Sequence, residues 1–111
     1  MRPVSVGVNP TAATLTTVYT VPTGYYANFT VMYIHNTGGS TKHITVQWYD
    51  ASTATTLDIL TNYDFTSKQY LQFDGNAYIV LEEGDRIQIT TQSASTFSFI
   101  ATFEVQGAQR T

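Results

Sequence analysis

Two histidines flank a glycine-containing turn and are the side chains in this sequence best suited to binding a metal. His35 and His43 stand on either side of the segment 36–41, Asn-Thr-Gly-Gly-Ser-Thr, whose composition is typical of a turn. Two imidazoles brought together at a hairpin could form half of a metal site or a pH-sensitive switch. A catalytic zinc site normally has three protein ligands, and this pattern offers only two. We therefore expect polar residues at a hairpin end, with no metal.

The acidic residues could serve calcium binding or glycoside hydrolysis, but neither pattern is complete. Glu82, Glu83 and Asp85 surround a turn at Gly84, whereas calcium needs several oxygens around one point. We expect Asp85 to accept hydrogen bonds from the turn backbone and the two glutamates to face water. A glycosidase needs two carboxylates at a defined separation, and no spacing selects a pair among the other acids. Those candidates are Asp50, Asp58, Asp64 and Glu104. We predict no catalytic residue, no cofactor and no enzyme activity.

The single tryptophan lies beside a tyrosine and an aspartate, a combination that could form a sugar-binding platform. Trp48, however, keeps the period-two phase of Ile44 and Val46, which predicts a core position for its indole. The same alternation places Tyr49 outside, where a tyrosine supplies a large and stiff contact area for a protein partner.

The elements that must position these residues are short segments of alternating apolar and polar residues, separated by turn residues. This pattern predicts an all-β fold, an antiparallel sandwich or barrel. The predicted strands are 15–21, 25–35, 42–49, 56–60, 70–73, 78–81, 86–91 and 97–105. We expect 25–35 and 42–49 to pair as a hairpin. In the first of these we expect Ala27, Phe29, Val31 and Tyr33 to share one side.

The length predicts one domain. The residue pattern adds an extended segment before it and a polar tail after it. Residues 1–11 alternate valine with small or polar residues, and we expect either an edge strand or an arm that pairs with a neighbouring molecule. The domain proper is expected at 12–106 and the tail at 107–111. The predicted interface residues are Val4, Val6, Val8, Tyr25, Tyr26 and Tyr49.

The charge content is low and excludes two classes of partner. Charged residues make up 12% of the chain and the net charge is −3, whereas about a quarter of a typical domain is charged. The basic residues are isolated, so we expect neither nucleic-acid binding nor attachment to an anionic membrane. We find no signal-peptide pattern and no apolar stretch of transmembrane length, and we expect synthesis in a cytoplasm. A weakly charged surface rich in tyrosine and threonine favours a protein that buries its outside against partners.

Three motifs resemble a known family. They are Tyr-Thr-Val-Pro-Thr-Gly at 19–24, Asn-Thr-Gly at 36–38 and Leu-Glu-Glu-Gly-Asp-Arg-Ile at 81–87. The resemblance, which covers about residues 15 to 105, is to small jelly-roll β-sandwich proteins of tailed-bacteriophage virions. It implies a jelly roll of about eight strands and a place in the virion.

The family resemblance leaves several roles open. It implies a capsid decoration (cement) protein that is a homo-oligomer, typically a trimer, bound to the major capsid protein or another virion protein. A single bare domain favours decoration over a neck, tail, baseplate or fibre component. A carbohydrate-binding module for host attachment is the alternative from another functional class.

Overall fold

The described residues form strands and the segments between them, and the strand bounds are close to those predicted, except that the strand predicted at 56–60 extends over Thr55–Phe65. The computed structural model describes residues 2–73 and 79–107. Its strands are β1 (Arg2–Val8), β2 (Thr16–Thr20), β3 (Tyr25–Asn36), β4 (Lys42–Asp50), β5 (Thr55–Phe65), β6 (Tyr70–Phe73), β7 (Ile79–Leu81), β8 (Arg86–Thr91) and β9 (Phe97–Gly107). In these described ranges no helix has the length and apolar character needed to cross a membrane. The predicted turn at 74–76, the predicted strand start at Tyr78, Met1 and the tail after Gly107 lie outside the described residues.

The strands form two antiparallel sheets whose order is that of a jelly roll. Sheet I has the order β1-β9-β3-β6, with β7 also paired to β3, and sheet II has the order β2-β8-β4-β5. Strands β6 and β7 pair with successive stretches of β3, so they share one position in the sheet. Counted this way, each sheet has four positions, which is the eight-strand, double Greek-key arrangement of jelly rolls. The predicted antiparallel sandwich is therefore confirmed.

The predicted hairpin between residues 25–35 and 42–49 is wrong. Strand β3 pairs with β6, β7 and β9, while β4 pairs with β5 and β8 in the other sheet. The turn between them therefore crosses from one sheet to the other. Alternation specifies which side of a strand is buried but not which strand lies next to it, and a glycine-rich turn serves either connection.

A bulge in β3 reverses the predicted sides of its second half. The register against β9 shifts between Phe29 and Val31, so one extra residue is accommodated in β3. As a result Phe29 and Met32, three positions apart, are both buried in the core. Val31 and Tyr33 were predicted on the side of Phe29, and the bulge instead places Tyr33 on the outer face, where 38% of it is exposed.

The core lies between the sheets and is rich in phenylalanine. Phe29, Phe65, Phe99 and Phe103 are fully buried, and the predicted inward face of β9 is confirmed along its length. The rings of Phe29 and Phe103 stack with centroids 5.1 Å apart. Removing one such ring would cost about 3–5 kcal/mol, which is a large share of the stability of a domain of this size.

The N-terminal segment is an edge strand of its own chain. β1 pairs with β9 from Arg2 to Val8, and its alternating residues Val4, Val6 and Val8 are half-buried against the core. An arm that pairs with a neighbour would have to detach from β9 first. A role of residues 1–11 in a neighbouring molecule stays a prediction, and in this arrangement it requires such an exchange.

Candidate functional site

The two histidines lie on different sheets and do not form a shared site. His35 belongs to β3 and pairs with Ser98 and Tyr70 in sheet I. His43 belongs to β4 and pairs with Asp64 in sheet II. Their separation follows from the β3–β4 connection, which crosses between the sheets. Within residues 2–73 and 79–107 no group of three or more His, Cys, Asp or Glu side chains could hold a metal ion.

The acidic turn after β7 is structural, as expected from the sequence. Asp85 is buried and its carboxylate accepts hydrogen bonds from Ala51 N at 2.9 Å, Glu82 N at 3.0 Å and Trp48 Nε1 at 3.4 Å. These donors join the end of β4 and the 82–85 turn to one buried group. Glu83 is exposed and accepts from Gly24 N at 3.1 Å. The carboxylates of Asp85 and Glu83 therefore accept from backbone and indole N–H groups.

The acids considered as a hydrolytic pair have separate surroundings. Hydrogen bonds from Ser52 lower the pKa of Asp50, and hydrogen bonds from Thr61 and then Gln47 lower the pKa of Asp58. A lowered pKa keeps a carboxylate ionised and makes it a poor general acid. Glu104 lies on β9 in sheet I, on the other side of the sandwich from Asp58 and the rest of β5. Glu104 and Asp58 therefore belong to different sheets and do not face one substrate.

The side chains considered for a sugar platform around the tryptophan are engaged in other contacts. Trp48 is half-buried against the core and its indole N–H points to Asp85. The guanidinium of Arg86 lies over the ring of Tyr49, 3.9 Å from the ring centre, a cation–π contact. Trp48 therefore has the core role that its phase predicts. Tyr49 is only partly exposed, and the predicted interface role of this residue stays a prediction.

The outer face of sheet II carries a continuous row of hydrogen-bonded polar side chains, here called the polar row. Arg86 Nε donates to Gln88 Oε1 at 3.0 Å, Gln88 Nε2 donates to Gln47 Oε1 at 3.0 Å, and Gln47 Nε2 donates to Asp58 Oδ1 at 2.9 Å. Thr61 completes it by donating to Asp58 Oδ2 at 2.6 Å. The row starts at a cation and ends at an anion, so each bond polarises the next in the same direction. This face is well suited to water.

The outer face of sheet I is different, because it carries an exposed aromatic cluster in a shallow depression. We call this cluster the tyrosine depression. Its volume is about 310 Å³ and it is lined by Tyr33, His35, Tyr70, Ser98 and Ile100. Tyr33 is 38%, Tyr70 60% and Ile100 49% exposed. The rings of Tyr33 and Tyr70 are nearly parallel, at an interplanar angle of 11° with centroids 5.8 Å apart.

Sequence reasoning missed this cluster for two reasons. Its members come from β3, β6 and β9, which only the pairing of non-neighbouring strands brings together. The bulge after Phe29 also moved Tyr33 to the face opposite to the predicted one. One signal in the sequence did point to an outward-facing contact surface: both sides of 25–35 are apolar, with Met32 and Ile34 alternating with Val31 and Tyr33.

The predicted contact residues Tyr25 and Tyr26 lie near the far end of β3. Together with Val80, Glu82 and Glu83 they line a second depression. Tyr25 is 45% exposed, and the hydroxyl of Tyr26 donates to Gln106 Oε1 at 3.0 Å. Their position is compatible with the predicted interface role, which stays a prediction.

One side of the sandwich is open, between the edge strand β5 of sheet II and strands β6 and β7 of sheet I. The gap there forms an apolar cavity of about 310 Å³, which we call the open-side groove. It is lined by Phe29, Met32, Ile59, Leu60, Leu71, Gln72, Phe73 and Ile79. Two further apolar side chains on β5 are exposed, Leu57 at 48% and Tyr63 at 44%. In the described part of the chain β5 pairs with β4 alone, so its other edge is unpaired.

Comparison with known proteins identifies the fold and not a family. No protein-family model matches the sequence, and no curated protein matches it. Among solved structures, the chain is similar to a chain of the Bacillus endospore appendages, which form disulfide-linked pili. The identity is 16% and the TM-score is 0.50. That match covers 97% of this chain and 87% of the other.

Two further solved structures are similar over most of this chain. A chain of the T13 IBDV viral particle matches with 9% identity and a TM-score of 0.53, over 92% of this chain and 30% of the viral one. The globular domain of zebrafish complement 1qA matches with 12% identity and a TM-score of 0.47, over 98% of both chains. At these identities the likeness concerns the fold alone, a β-sandwich.

Proposed function

We propose that this chain is a structural protein of a virus particle, a capsid decoration protein of a tailed-phage virion. The observation that carries the proposal is the open side of the sandwich. There the 11-residue edge strand β5 offers unpaired backbone groups, which readily pair with another chain. The open-side groove beside it leaves apolar side chains near water, and covering them with a partner is favourable. A protein that works by attachment needs such a surface.

The contrast between the outer face of sheet II and its edge strand β5 supports this choice of surface. On the outer face the side chains of the polar row are hydrogen-bonded to one another, so they gain little from a partner. The charged residues of β5 are Asp58 and Asp64, and Asp58 belongs to the polar row. Interface cores are depleted in charged residues and enriched in aromatic ones, a composition that the groove and its rim match.

The sequence motifs and the fold add support of a different kind. The motifs at 19–24, 36–38 and 81–87 resemble virion jelly rolls. The two similar chains with the higher TM-scores come from a pilus and a virus particle, and both structures are assemblies of repeated subunits. The pili of the first are described as disulfide-linked, whereas the present sequence contains no cysteine. Any assembly of this chain would therefore depend on burial and hydrogen bonds.

The finer parts of the proposal follow from the resemblance. The protein acts as a homo-oligomer, a trimer, that binds the major capsid protein, and it has no enzyme activity. It is made in the host cytoplasm and ends in the virion. Its mechanism is mechanical, because bridging neighbouring coat subunits adds buried surface that resists internal pressure. A neck, tail or baseplate position is the alternative within the virion.

A density map of the particle tests the location directly. Decoration predicts this chain in many copies, spread over the coat lattice of the head. Density confined to a ring at the neck or tail would favour the alternative, and absence from the particle would reject a virion role. Heads prepared without the protein should lose resistance to heat or to internal pressure, as expected for a cement protein.

A matched pair of leucine variants tests the open side as the docking surface. Leu57→Lys places a charge on the edge strand β5, where Leu57 is 48% exposed. Leu15→Lys places the same charge at a similarly exposed position, 54%, that does not belong to β5 or to the groove. Burying a leucine contributes about 1.5–3 kcal/mol, so the first variant should weaken assembly or head binding about tenfold or more. The second should behave like the parent in sedimentation and head-binding assays. Equal behaviour of both variants would show that the open side is not the interface.

A further inference from the structure

The tyrosine depression combines two flat aromatic faces with a ring of uncharged polar groups. At a centroid separation of 5.8 Å the rings of Tyr33 and Tyr70 are offset, so each leaves much of its face uncovered. Ile100 forms an apolar wall, while His35 and Ser98 bring nitrogen and hydroxyl groups to the same depression. No hydrogen bond among the described residues engages the two tyrosine hydroxyls or the His35 ring. These groups are available to a ligand.

We propose that the tyrosine depression binds a neutral saccharide. The face of an aromatic ring is electronegative, and the polarised C–H groups on the flat side of a sugar pack against it. The hydroxyls at the edge of a sugar both donate and accept hydrogen bonds, as do the tyrosine hydroxyls and the imidazole of His35. The Ser98 hydroxyl donates to Asn9 Oδ1 at 3.3 Å and can still accept. A stiff aromatic floor with a few convergent polar groups is typical of a ligand site.

The charges around the depression favour a neutral ligand over an acidic one. No lysine or arginine lines it. Lys68, two residues before Tyr70, donates its Nζ to the carbonyl of Thr37 at 2.7 Å, so its charge is already directed to the backbone. The acid on the outer face of β9, Glu104, is four residues from Ile100, roughly 13 Å along the strand. An anionic sugar would find no cation there to compensate its charge.

The size of the depression is compatible with a small ligand. Its volume of about 310 Å³ lies at the lower end of the range for small-molecule sites, about 300–1,000 Å³. The depression also lies on the outer face of sheet I, whereas the open-side groove lies between the sheets. The saccharide proposal therefore goes beyond the virion role and does not rest on it.

A binding experiment with single-residue variants tests the proposal. The folded chain is screened on an array of neutral glycans, and cellohexaose, maltohexaose and chitohexaose are titrated by calorimetry, with sialyllactose as the acidic probe. We expect a dissociation constant of about 1 mM or tighter for at least one neutral glycan. Tyr33→Ala and Tyr70→Ala should each weaken it about tenfold, because each removes one ring face. Tyr70→Phe should retain most of the affinity, since it keeps the ring.

Tyr25→Ala is the matched control, because Tyr25 is 45% exposed on the same strand as Tyr33 and lies outside the depression. It should bind as the parent does, and all variants should melt as the parent does. Absence of binding to every neutral glycan would overturn the proposal, and so would a preference for sialyllactose. Binding that survives both alanine variants would place the sugar elsewhere. Loss of self-association in Tyr70→Ala, with no glycan bound, would assign the depression to a protein partner instead.

Discussion

Replacement of Asn36 by aspartate is the most informative perturbation of the fold. The Asn36 side chain is fully buried. Its Nδ2 donates to the carbonyls of Ser40 at 2.9 Å, Phe65 at 3.1 Å and Thr66 at 3.1 Å, and its Oδ1 accepts from Gly38 N at 3.0 Å. One amide thus joins the β3–β4 crossover to the end of β5. Asn36→Asp keeps the shape of the side chain and one acceptor oxygen. It replaces the Nδ2 donor, which faces three carbonyl oxygens, with a second acceptor oxygen.

The expected cost follows from the polar groups that lose their partner. A buried group left unsatisfied costs about 1–3 kcal/mol. The Phe65 carbonyl is buried and those of Ser40 and Thr66 are partly buried, so water can compensate the last two in part. We expect a loss of about 3 kcal/mol from the free energy of unfolding at neutral pH. With a urea slope of about 1.5 kcal/mol/M, the unfolding midpoint falls by roughly 2 M.

Urea unfolding followed by the fluorescence of Trp48, the single tryptophan, measures this loss. Burial among acceptors should raise the pKa of the new carboxyl, and its protonated form can donate one hydrogen bond. The deficit should therefore shrink as the pH falls from 7 toward the ordinary aspartate pKa of about 3.9. Asn9→Asp is the control, because Asn9 is exposed and its Oδ1 only accepts from Ser98. A deficit below about 1 kcal/mol, or one independent of pH, would refute the reasoning.

Two further predictions concern the aspartates of sheet II and its turns. Asp85→Asn replaces one carboxylate oxygen with an NH2 group, which then faces a backbone N–H that donates to the carboxylate in the parent. The substitution should lower the free energy of unfolding by about 2–3 kcal/mol. It should also shift the emission of Trp48, whose indole donates to Asp85, and an unchanged spectrum with unchanged stability would contradict this role. Hydrogen bonds from Thr61 and Gln47 lower the pKa of Asp58, so its contribution to stability is complete above the ordinary aspartate pKa and is lost as the pH falls below it. Asp58→Asn should flatten the fall of the melting temperature in acid, and identical acid profiles for parent and variant would exclude this contribution.

The strands could be predicted because each carries its own alternation. In β9 the inward positions from Phe97 to Val105 are all apolar, and the sheet pleat converts that pattern into one buried face. Pairing partners could not be predicted in the same way. The assignment of β3 and β4 to different sheets depends on contacts between strands far apart in the sequence, which alternation does not encode.

The contact surfaces were harder to predict than the strands, again for physical reasons. Val4, Val6 and Val8 have the alternation of a strand, which does not reveal whether their apolar side covers the same chain or another. The structure packs them against their own core. Tyr33 was assigned to the wrong side because a bulge changes the phase without an obvious mark in the sequence. The roles of Trp48 and Asp85 could be predicted, because each depends on local phase or local turn chemistry.

The two proposed surfaces meet on one short strand. In β6, Leu71 and Phe73 line the open-side groove, whereas Tyr70 lines the tyrosine depression on the outer face. Successive side chains of a strand point to opposite faces, so one strand supplies an apolar wall to a protein partner and an aromatic floor to a ligand without either using the other's atoms. A subunit fixed to a particle through its open side would thus engage none of the residues that line the depression. Variants at Leu57 and Tyr70 should then act on assembly and on ligand binding separately, as expected for sites that share no partner.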